Sequence, residues 1–358
     1  MNKIFIYLLI SITFFTISCK KESKQQYGDV VANITDNVIV ETYDDMEDGA
    51  DDLLDAAKEL KDDQNNATKL EEAKNAWIAT RAAWEASEGF LFGPVSDLEI
   101  DPNIDTWPLD STGINAILAG TDVINKAYID QLTGDAGTGL KGFHAIEYIL
   151  WGSDGNRAAG SFSARELEYL VACAESLKGQ AETLLNAWTS GGYANELKSQ
   201  NGVYSSEKAV LIELAEGIRG IAGEVWNTKI QNTLDGYHAD GVEGGIREEE
   251  SRFSNNTKLD FTNNIISIKN VYSGMYGTKG NGNGLNKVVK QLDQNLANKI
   301  ATQINEAIAA IQNIGGNTST TYSQALASDM ASIETAQEKV EALETTIQNE
   351  LLPLINKL

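Results

Sequence analysis

Hydrophobic residues recur at intervals of three and four positions through most of this 358-residue chain, a period that is typical of amphipathic helices. One such series runs from Leu285 to Ile311, and a second runs from Leu326 to Leu351. The segment NIGGNTSTTYS between them offers glycines that can end one helix and Ser and Thr residues that can cap the next. This pattern predicts two long helices packed as an antiparallel hairpin.

The same helical period occurs earlier in the chain, at residues 29–63, 67–91, 163–189 and 205–233. No segment shows the convincing alternation of apolar and polar residues that is typical of a half-buried strand. We therefore predict an all-α fold. Such helices bury their apolar faces by bundling, and a chain of this length usually holds more than one core. The glycine-containing segment SGGYANELKSQNGVY is the best boundary, which predicts tandem helical bundles at residues 31–195 and 196–358.

The main irregular segment is FGPVSDLEIDPNIDTWPLD, which carries three of the four prolines in the chain. It is too long to be a plain connector. Long ordered loops in compact helical domains are often functional. We refer to this segment, residues 92–110, as the insert and expect part of a functional site in it.

The chain begins with MNKIFIYLLISITFFTISCKKES, in which an early lysine precedes an apolar stretch that ends in a small residue and a cysteine. This order is typical of an export signal, and the apolar stretch is shorter than the ~20 residues of a membrane-spanning helix. The ISC ending resembles a lipobox, which predicts cleavage after residue 18, acylation of Cys19, and a tether at residues 19–30. A plain secretory signal is the alternative. We expect the protein in the cell envelope, lipid-anchored to the outer membrane and facing either the periplasm or the cell surface.

Acidic residues outnumber basic ones, and the formal net charge is −24. Such a charge makes nucleic acid an implausible partner. The negative field would concentrate cations, although solubility alone could explain it. Cys173 is the only cysteine besides Cys19, so the lipidated protein would have no internal disulfide. Cys173 stands at an apolar helical position and is expected to be an unreactive core residue.

The segment GFHAIEYILWG, residues 142–152, contains one of the two histidines in the chain. On a helix, His144 and Glu147 would project from one face and could chelate one metal ion. Gly142 would keep the approach to the start of this helix open. The alternative is a histidine that is hydrogen-bonded to a neighbouring carboxylate. The HExxH pattern of zinc peptidases is absent, and carboxylate-rich sites suit harder cations such as iron, manganese or calcium.

Further acids could complete an oxygen-rich site. Glu85 and Glu88 lie three residues apart on a predicted helix, with Arg81 on the same face as a counter-charge; a solvated helix face is the alternative. Asp105 has apolar neighbours within the insert, so we expect it to be buried and to face the helix of His144, because a buried carboxylate needs a partner. The other acids of the insert are interpreted as ordinary loop residues: Glu99, Asp101 and Asp110.

The segment at residues 248–274 combines many Ser, Asn and Asp residues with apolar residues at helical spacing. So many polar residues on a helix that must also pack indicate either hydrogen-bonded contacts between the bundles or the lining of a site. A capped helix with one wet face is the alternative. Ser251 and Ser254 are expected to support the metal ligands from behind.

Four segments in this order, TRAAWEASEGFLFGP, IDTWPLD, GFHAIEYILWG and ESRFSNNTKLDFTNNIISIKNVYSG, resemble successive motifs of the imelysin family. Gly142, His144 and Glu147 match its GxHxxE motif, and the resemblance extends from about residue 30 to the end. It implies two helical bundles with a site near the cleft between them, an exported or lipid-anchored protein, and a link to iron uptake. Related iron-uptake domains imply Glu88 and Asp105, with Glu85, as added ligands.

The resemblance leaves three functions open. The first is a cell-envelope lipoprotein that binds iron, or a chelate or haem that carries iron, and assists its uptake by an outer-membrane transporter. The second is a metallopeptidase that uses the same residues, with Glu147 as a ligand or general base; the family was named for such an activity. The third is a scaffold for an outer-membrane importer, in which His144 and Glu147 would be dispensable. Iron is the expected ion, with zinc and calcium as alternatives.

Overall fold

The structure is a computed structural model that describes residues 27–358. The predicted signal peptide, Cys19 and most of the tether therefore lie outside the described residues. Helices dominate the rest, and the predicted all-α fold class is confirmed. Within residues 27–358, no helix combines the length and the apolar character that crossing a membrane requires.

The first half of the described chain contains the long helices of one layer and a series of short helices within and after the insert. In chain order the helices are α1 (Gly28–Ile34), α2 (Val40–Asp62), α3 (Ala67–Glu85), α4 (Pro94–Asp97), α5 (Ile100–Ile104), α6 (Ser111–Ala119), α7 (Lys126–Asp130), α8 (Asp135–Thr138), α9 (Gly142–Trp151), α10 (Ala164–Trp188) and α11 (Tyr193–Ser199). A π-helical segment, Thr35–Ile39, joins α1 to α2, and a 3₁₀ turn, Glu88–Phe90, follows α3.

The second half of the described chain is also mainly helical. Its elements are α12 (Glu207–Glu224), α13 (Gln231–Arg247), α14 (Thr257–Ser273), β1 (Met275–Tyr276), β2 (Lys279–Gly280), α15 (Leu285–Leu292), α16 (Gln294–Gln312), α17 (Tyr322–Ser328), α18 (Met330–Thr346) and α19 (Leu352–Ile355). The two-residue strands form an antiparallel hairpin that the sequence pattern did not predict. π-helical segments join α12 to α13 and α18 to α19.

The predicted C-terminal hairpin is present, since α16 packs against α18, but each of its long helices is interrupted. Asp293 has an extended backbone, and its carboxylate accepts hydrogen bonds from the first N–H groups of α16. Asp329 also leaves the helical conformation, with a φ of −151° between α17 and α18, but its side chain makes no capping hydrogen bond. Short acidic side chains compete with the helical backbone in this way, so apolar spacing alone did not reveal the breaks.

Two sets of packed helices make up the molecule. In the first set α2 packs against α3 and α10, and in the second α16 lies against α14 and α18. Helix α14 also packs against α3, and α1 contacts α11, α12 and α15, so the buried apolar residues of both halves form one continuous cluster. The division into domains at residues 195 and 196 stays a prediction; in this structure it falls within α11.

Close backbone approaches bring the two halves together beside the end of α3. A Cβ atom at Gly217 of α12 would lie 2.4 Å from the carbonyl oxygen of Gly89, and one at Gly89 would lie 2.9 Å from the hydroxyl oxygen of Ser267 on α14. Only glycine lacks that atom, so these positions let α12 and α14 pack directly on the turn that carries Glu88. Side chains at the end of α3 therefore face side chains from the second half.

Candidate metal centre

Helix α9 begins at Gly142, where the insert crosses it. Gly142 has a φ of +77°, and a Cβ atom there would lie 2.1 Å from the carbonyl oxygen of Ile104. Glycine is required on both grounds. The close approach brings the next residue of the insert, Asp105, against His144, with Oδ1 of Asp105 lying 3.2 Å from Nε2 of the imidazole. Asp105 thus faces the helix of His144, as its apolar neighbours indicated, while its role as a metal ligand stays a prediction.

His144 is buried, and its two ring nitrogens face different carboxylates. Nδ1 lies 3.3 Å from Oε2 of Glu147, one turn further along α9. The other oxygen of Glu147 accepts hydrogen bonds from the backbone N–H of Ser254 at 2.8 Å and from its hydroxyl at 2.7 Å. Because both oxygens of Glu147 are engaged, this carboxylate holds the imidazole in place.

Arg81 lies fully buried at the middle of the carboxylate cluster. Its guanidinium forms ion pairs with Glu85 at 2.5 Å, with Glu250 at 3.0 Å and with Asp260 at 3.5 Å, and it also contacts Asp105. A planar group with five donors suits such a position better than an ammonium. Arg81 is therefore the counter-charge that the sequence predicted, with more partners than helical spacing alone implied.

Lys229, from the π-helical segment after α12, is a second buried cation in the cluster. Its ammonium lies 3.1 Å from Glu250, 3.2 Å from Glu88 and 3.7 Å from Glu85. Asn264 of α14 donates to Glu88 at 3.0 Å and also to Glu85. Side-chain contacts therefore link the end of α3 to α14 and to the segment that follows α12.

Negative charge exceeds positive charge in this cluster. Six buried or nearly buried carboxylates surround the two cations and the imidazole: Glu85, Glu88, Asp105, Glu147, Glu250 and Asp260. Burial raises the pKa of Glu85 to about 8 and places the pKa of Glu88 well above its ordinary value. Burial disfavours the charged form of a carboxylate, and here that effect exceeds the opposing effect of the nearby cations Arg81 and Lys229. A cation entering the cluster would therefore replace protons.

His144 responds to the same surroundings in the opposite direction. Burial and the charge of Arg81 lower its pKa, but the carboxylates of Asp105 and Glu147 outweigh both effects and raise the pKa to about 9. Burial also acts on Asp105, yet Arg81 and His144 hold the pKa of its carboxyl well below its usual range. Without a further cation, His144 is an imidazolium between two carboxylates at neutral pH.

The donor atoms present fit a transition metal. Within residues 27–358, two sets of three residues each bring ligand atoms within 4.8 Å of one another. One set is Asp105, His144 and Glu250, and the other is Glu85, Glu88 and Asp105. Oε2 of Glu250 is buried and has no hydrogen-bond partner among the described residues, and Nε2 of His144 is buried with the Asp105 carboxylate beside it at 3.2 Å. An imidazole nitrogen with carboxylate oxygens suits iron, manganese or zinc.

The predicted site residues all lie in this region. Chelation of one ion by His144 and Glu147 stays a prediction; in this structure Oε2 of Glu147 lies 3.3 Å from Nδ1 of His144, and Glu147 belongs to neither of the two close groups. Ser251 is buried, and its backbone N–H donates to the hydroxyl of Thr257. The second histidine, His238, is exposed on α13.

A cavity of about 300 Å³ adjoins the cluster, between the insert and the second half. Its walls include Glu88, Asp105, Lys229 and Glu250, together with Asp101 of the insert. Asp101, which the sequence pattern assigned to an ordinary loop, lies in the first turn of α5 and faces this cavity, and burial and the neighbouring Asp105 raise its pKa to about 7. The cavity connects the cluster with space large enough for several water molecules.

Sequence reasoning missed Glu250, Asp260 and Lys229 as members of the cluster. Asp260 had a usable signal, because it stands four residues before Asn264 on a helix that is buried on nearly every side. Glu250 had none, since it is the last of three consecutive glutamates. Lys229 is a single lysine in an amphipathic helix, where an exposed position is the ordinary expectation.

Known proteins resemble this chain over nearly its whole length. The sequence model of the imelysin family matches residues 39–349. Iron-regulated protein A of Synechococcus elongatus is 27% identical over 332 residues, which cover 91% of this chain and 86% of that protein. A solved structure described as an iron-regulated protein A precursor, from Parabacteroides distasonis, has a TM-score of 0.80 and 29% identity, covering 95% of this chain and 96% of that one.

A second solved structure, an imelysin-like protein from Psychrobacter arcticum, has a TM-score of 0.71 and covers 92% of this chain and 95% of that one. Its sequence identity is 12%, so this likeness concerns the fold alone.

Proposed function

The chain belongs to the imelysin family, and we propose that it binds iron as a cation in the buried cluster and assists iron uptake at the cell envelope. One observation carries the proposal: Asp105, His144 and Glu250 bring ligand atoms within 4.8 Å of one another, where Oε2 of Glu250 is buried without a hydrogen-bond partner in residues 27–358 and Nε2 of His144 has only the Asp105 carboxylate beside it. Buried polar atoms are almost always satisfied, so an unpartnered carboxylate oxygen close to an imidazole and a second carboxylate supports a site for a cation. The names of two relatives connect them with iron.

His144, Asp105 and Glu250 are the proposed ligands, with Glu85 and Glu88 as a neighbouring group that shares Asp105. Glu147 takes the role of orienting the histidine. Metal-binding histidines commonly use one ring nitrogen for the ion and give the other to a carboxylate, which fixes the ring and its tautomer. The hydrogen bonds from Ser254 fix Glu147 in turn.

The chemistry of the cavity favours a free cation over a chelate or haem. Carboxylates line it, including Glu88, Asp101 and Glu250, and Lys229 is a cation already paired with three of the carboxylates of the cluster. An anionic chelate would be repelled by these walls, whereas the same field would attract a hydrated cation. Haem sites also need broad apolar walls, and this lining is mostly polar.

Two details favour binding over peptide hydrolysis. Glu147, the acid that a peptidase mechanism would use as a base, has both oxygens engaged by His144 and Ser254. Oε2 of Glu250, which has no hydrogen-bond partner in the described part of the chain, belongs to the proposed ligand set and would be occupied by the ion. A general base needs a free oxygen within reach of a water molecule. The scaffold alternative differs from both, because it makes His144 dispensable.

Metal analysis separates these functions. Protein purified without chelator should contain iron in wild type and much less in His144→Gln, and neither should cleave peptides when loaded with iron, zinc or manganese. Cleavage by wild type that is lost in Glu147→Gln would favour the peptidase. Equal metal content in wild type and His144→Gln would favour the scaffold.

The envelope location depends on Cys19 and the preceding export signal. An acylated Cys19 would hold the protein at a membrane, where the iron-binding domain could act beside a transporter. Cys19→Ser should remain unprocessed by the lipoprotein route and should shift from the detergent phase to the aqueous phase. Unchanged partitioning would contradict the lipid anchor.

A further inference from the structure

A second group of carboxylates lies beside the proposed ligands. Glu85, Glu88 and Asp105 bring ligand atoms within 4.8 Å of one another, and we refer to these three residues as the second carboxylate group. Buried carboxylates at such distances repel one another, so a group of this kind needs a cation. The same oxygens could hold a second metal ion, and the group that stands beside them decides whether they do.

The ammonium of Lys229 stands against two members of the second carboxylate group. Nζ lies 3.2 Å from Oε2 of Glu88 and 3.7 Å from Oε2 of Glu85. A metal ion bound by these carboxylates would lie about 2 to 2.6 Å from their oxygens. The ion and the ammonium would then be close neighbours, and their charges would repel each other strongly.

Lys229 is held in place by its own helix and by a third carboxylate. It is buried in the π-helical segment that follows α12, and its ammonium also donates to Oε1 of Glu250 at 3.1 Å. An ammonium is a compact charge with three donors, and a buried one needs oxygen atoms around it in place of water. Lys229 is therefore a permanent cation of the cluster.

A second buried lysine shows the contrasting case. Lys258 of α14 donates to three backbone carbonyl oxygens at 2.7 to 2.9 Å. Those carbonyl groups belong to Ile314, Asn317 and Thr320. Lys258 thus closes the turn that follows α16, whereas Lys229 lines the cavity together with Glu88 and Glu250. The charge of Lys229 lies in the space that an entering ion would cross.

Lys229 also holds one oxygen of a proposed ligand. Oε1 of Glu250 accepts from Arg81 at 3.0 Å and from Lys229 at 3.1 Å, while Oε2 has no hydrogen-bond partner within the described chain. The two cations therefore fix one oxygen of Glu250 and leave the other for the set that it forms with His144 and Asp105.

We infer that Lys229 determines how many ions the metal centre holds. Its ammonium takes the place of a second cation beside Glu85 and Glu88, so the proposed ligands form the one position left for iron. The inference rests on the proposed function, because it concerns the number of ions in the same cluster. It explains why two adjoining sets of ligand atoms would bind a single ion.

Lys229→Met tests the inference, because methionine has a similar length and lacks the charge. Metal-free protein is titrated with an excess of Mn²⁺, which is visible by electron paramagnetic resonance. Calorimetry should give one bound ion in wild type and two in Lys229→Met. Two ions that share Asp105 should also give an exchange-coupled spectrum in place of the spectrum of an isolated ion. A lysine that only supported the fold would not change the number of bound ions in this way.

Lys258→Met is the matched control, since it also removes a buried ammonium, and it should still bind one ion. Loss of one partner from a buried ion pair destabilises a fold. Each variant is therefore also purified with Mn²⁺, and its metal content is measured after gel filtration. The double variant E88Q/K229M removes one acid together with the lysine, and it should return to one ion.

Two ions in wild type would overturn the inference, and this measurement requires no variant to fold. One ion in folded Lys229→Met, or two in the double variant, would also overturn it. If wild type binds no ion, the proposed function itself fails, so the two failures are distinguishable.

Discussion

Ser254 donates both its backbone N–H and its hydroxyl to a single oxygen of Glu147, at 2.8 and 2.7 Å. The two residues are 107 positions apart in the chain, and their contact joins α9 to the loop that precedes α14. The same Glu147 faces Nδ1 of His144. The orientation of the histidine therefore depends on how the two halves of the molecule pack.

The first prediction concerns this support. Ser254→Ala removes the hydroxyl and keeps the backbone donor, so the fold should lose only about 1 kcal/mol of stability. Iron affinity should fall by roughly 10- to 100-fold, the range typical of residues that orient metal ligands. Calorimetric titration and urea unfolding measure the two effects. Ser328→Ala, on an exposed hydroxyl, is the control and should change neither. Unchanged iron affinity in Ser254→Ala would mean that the support of Glu147 by Ser254 does not contribute to metal binding.

Gly142 provides a test of how the insert is held against α9. Gly142→Ala combines a left-handed φ with a Cβ atom 2.1 Å from the carbonyl oxygen of Ile104. Gly282 has a similar φ of +79° but no neighbour within 4 Å, so Gly282→Ala measures the conformational cost alone. Gly282→Ala should lose about 1–2 kcal/mol of stability, and Gly142→Ala should lose distinctly more. Equal losses would mean that the insert does not need this close approach.

The pH dependence of stability follows from His144 and Glu85. A histidine titrates near ~6.5 in an unfolded chain, but the pKa of His144 in the folded protein is about 9. The folded protein therefore keeps a proton that the unfolded chain releases, and this stabilisation is complete below ~6.5 and lost as pH rises to about 9. Glu85 acts in the same direction, because burial raises its pKa from ~4.3 to about 8.

We therefore expect the free energy of unfolding of the metal-free protein to fall between pH 6.5 and 9. Urea unfolding in the presence of chelator measures it at several pH values. His144→Gln should flatten the dependence, and His238→Gln, at an exposed position, should leave it as in wild type. A stability that is constant or rises over this range would contradict the ionised state assigned to His144.

Much of the fold was predictable because long helices with one buried face repeat a period that is visible in the sequence. The burial of Asp105 was also predictable, because Ile104 and Trp107 stand close to it in the sequence. Glu250 and Lys229 were not predictable, since their positions depend on packing between distant parts of the chain. The contact between Lys229 and Glu88 spans 141 positions, and no local pattern records it.

The role of Glu147 illustrates the same limit. Helical spacing places Glu147 on the same face as His144, and spacing alone permits both a chelate and a hydrogen-bonded pair. Ser254 engages one oxygen of Glu147, while His144 Nδ1 faces the other. The contacts of Glu147 therefore depend on tertiary structure and cannot be read from helical spacing.

The central claim is that His144, Asp105 and Glu250 hold an iron cation, and calorimetric titration of the metal-free protein with ferrous iron tests it most directly. Glu250→Gln is the most informative variant, because the assignment of Glu250 comes from the structure and not from the sequence motif. At pH 7, wild type and His238→Gln should bind one equivalent with the same affinity, and His144→Gln and Glu250→Gln should each lose most of it. Equal binding by wild type, His144→Gln and Glu250→Gln would contradict the account.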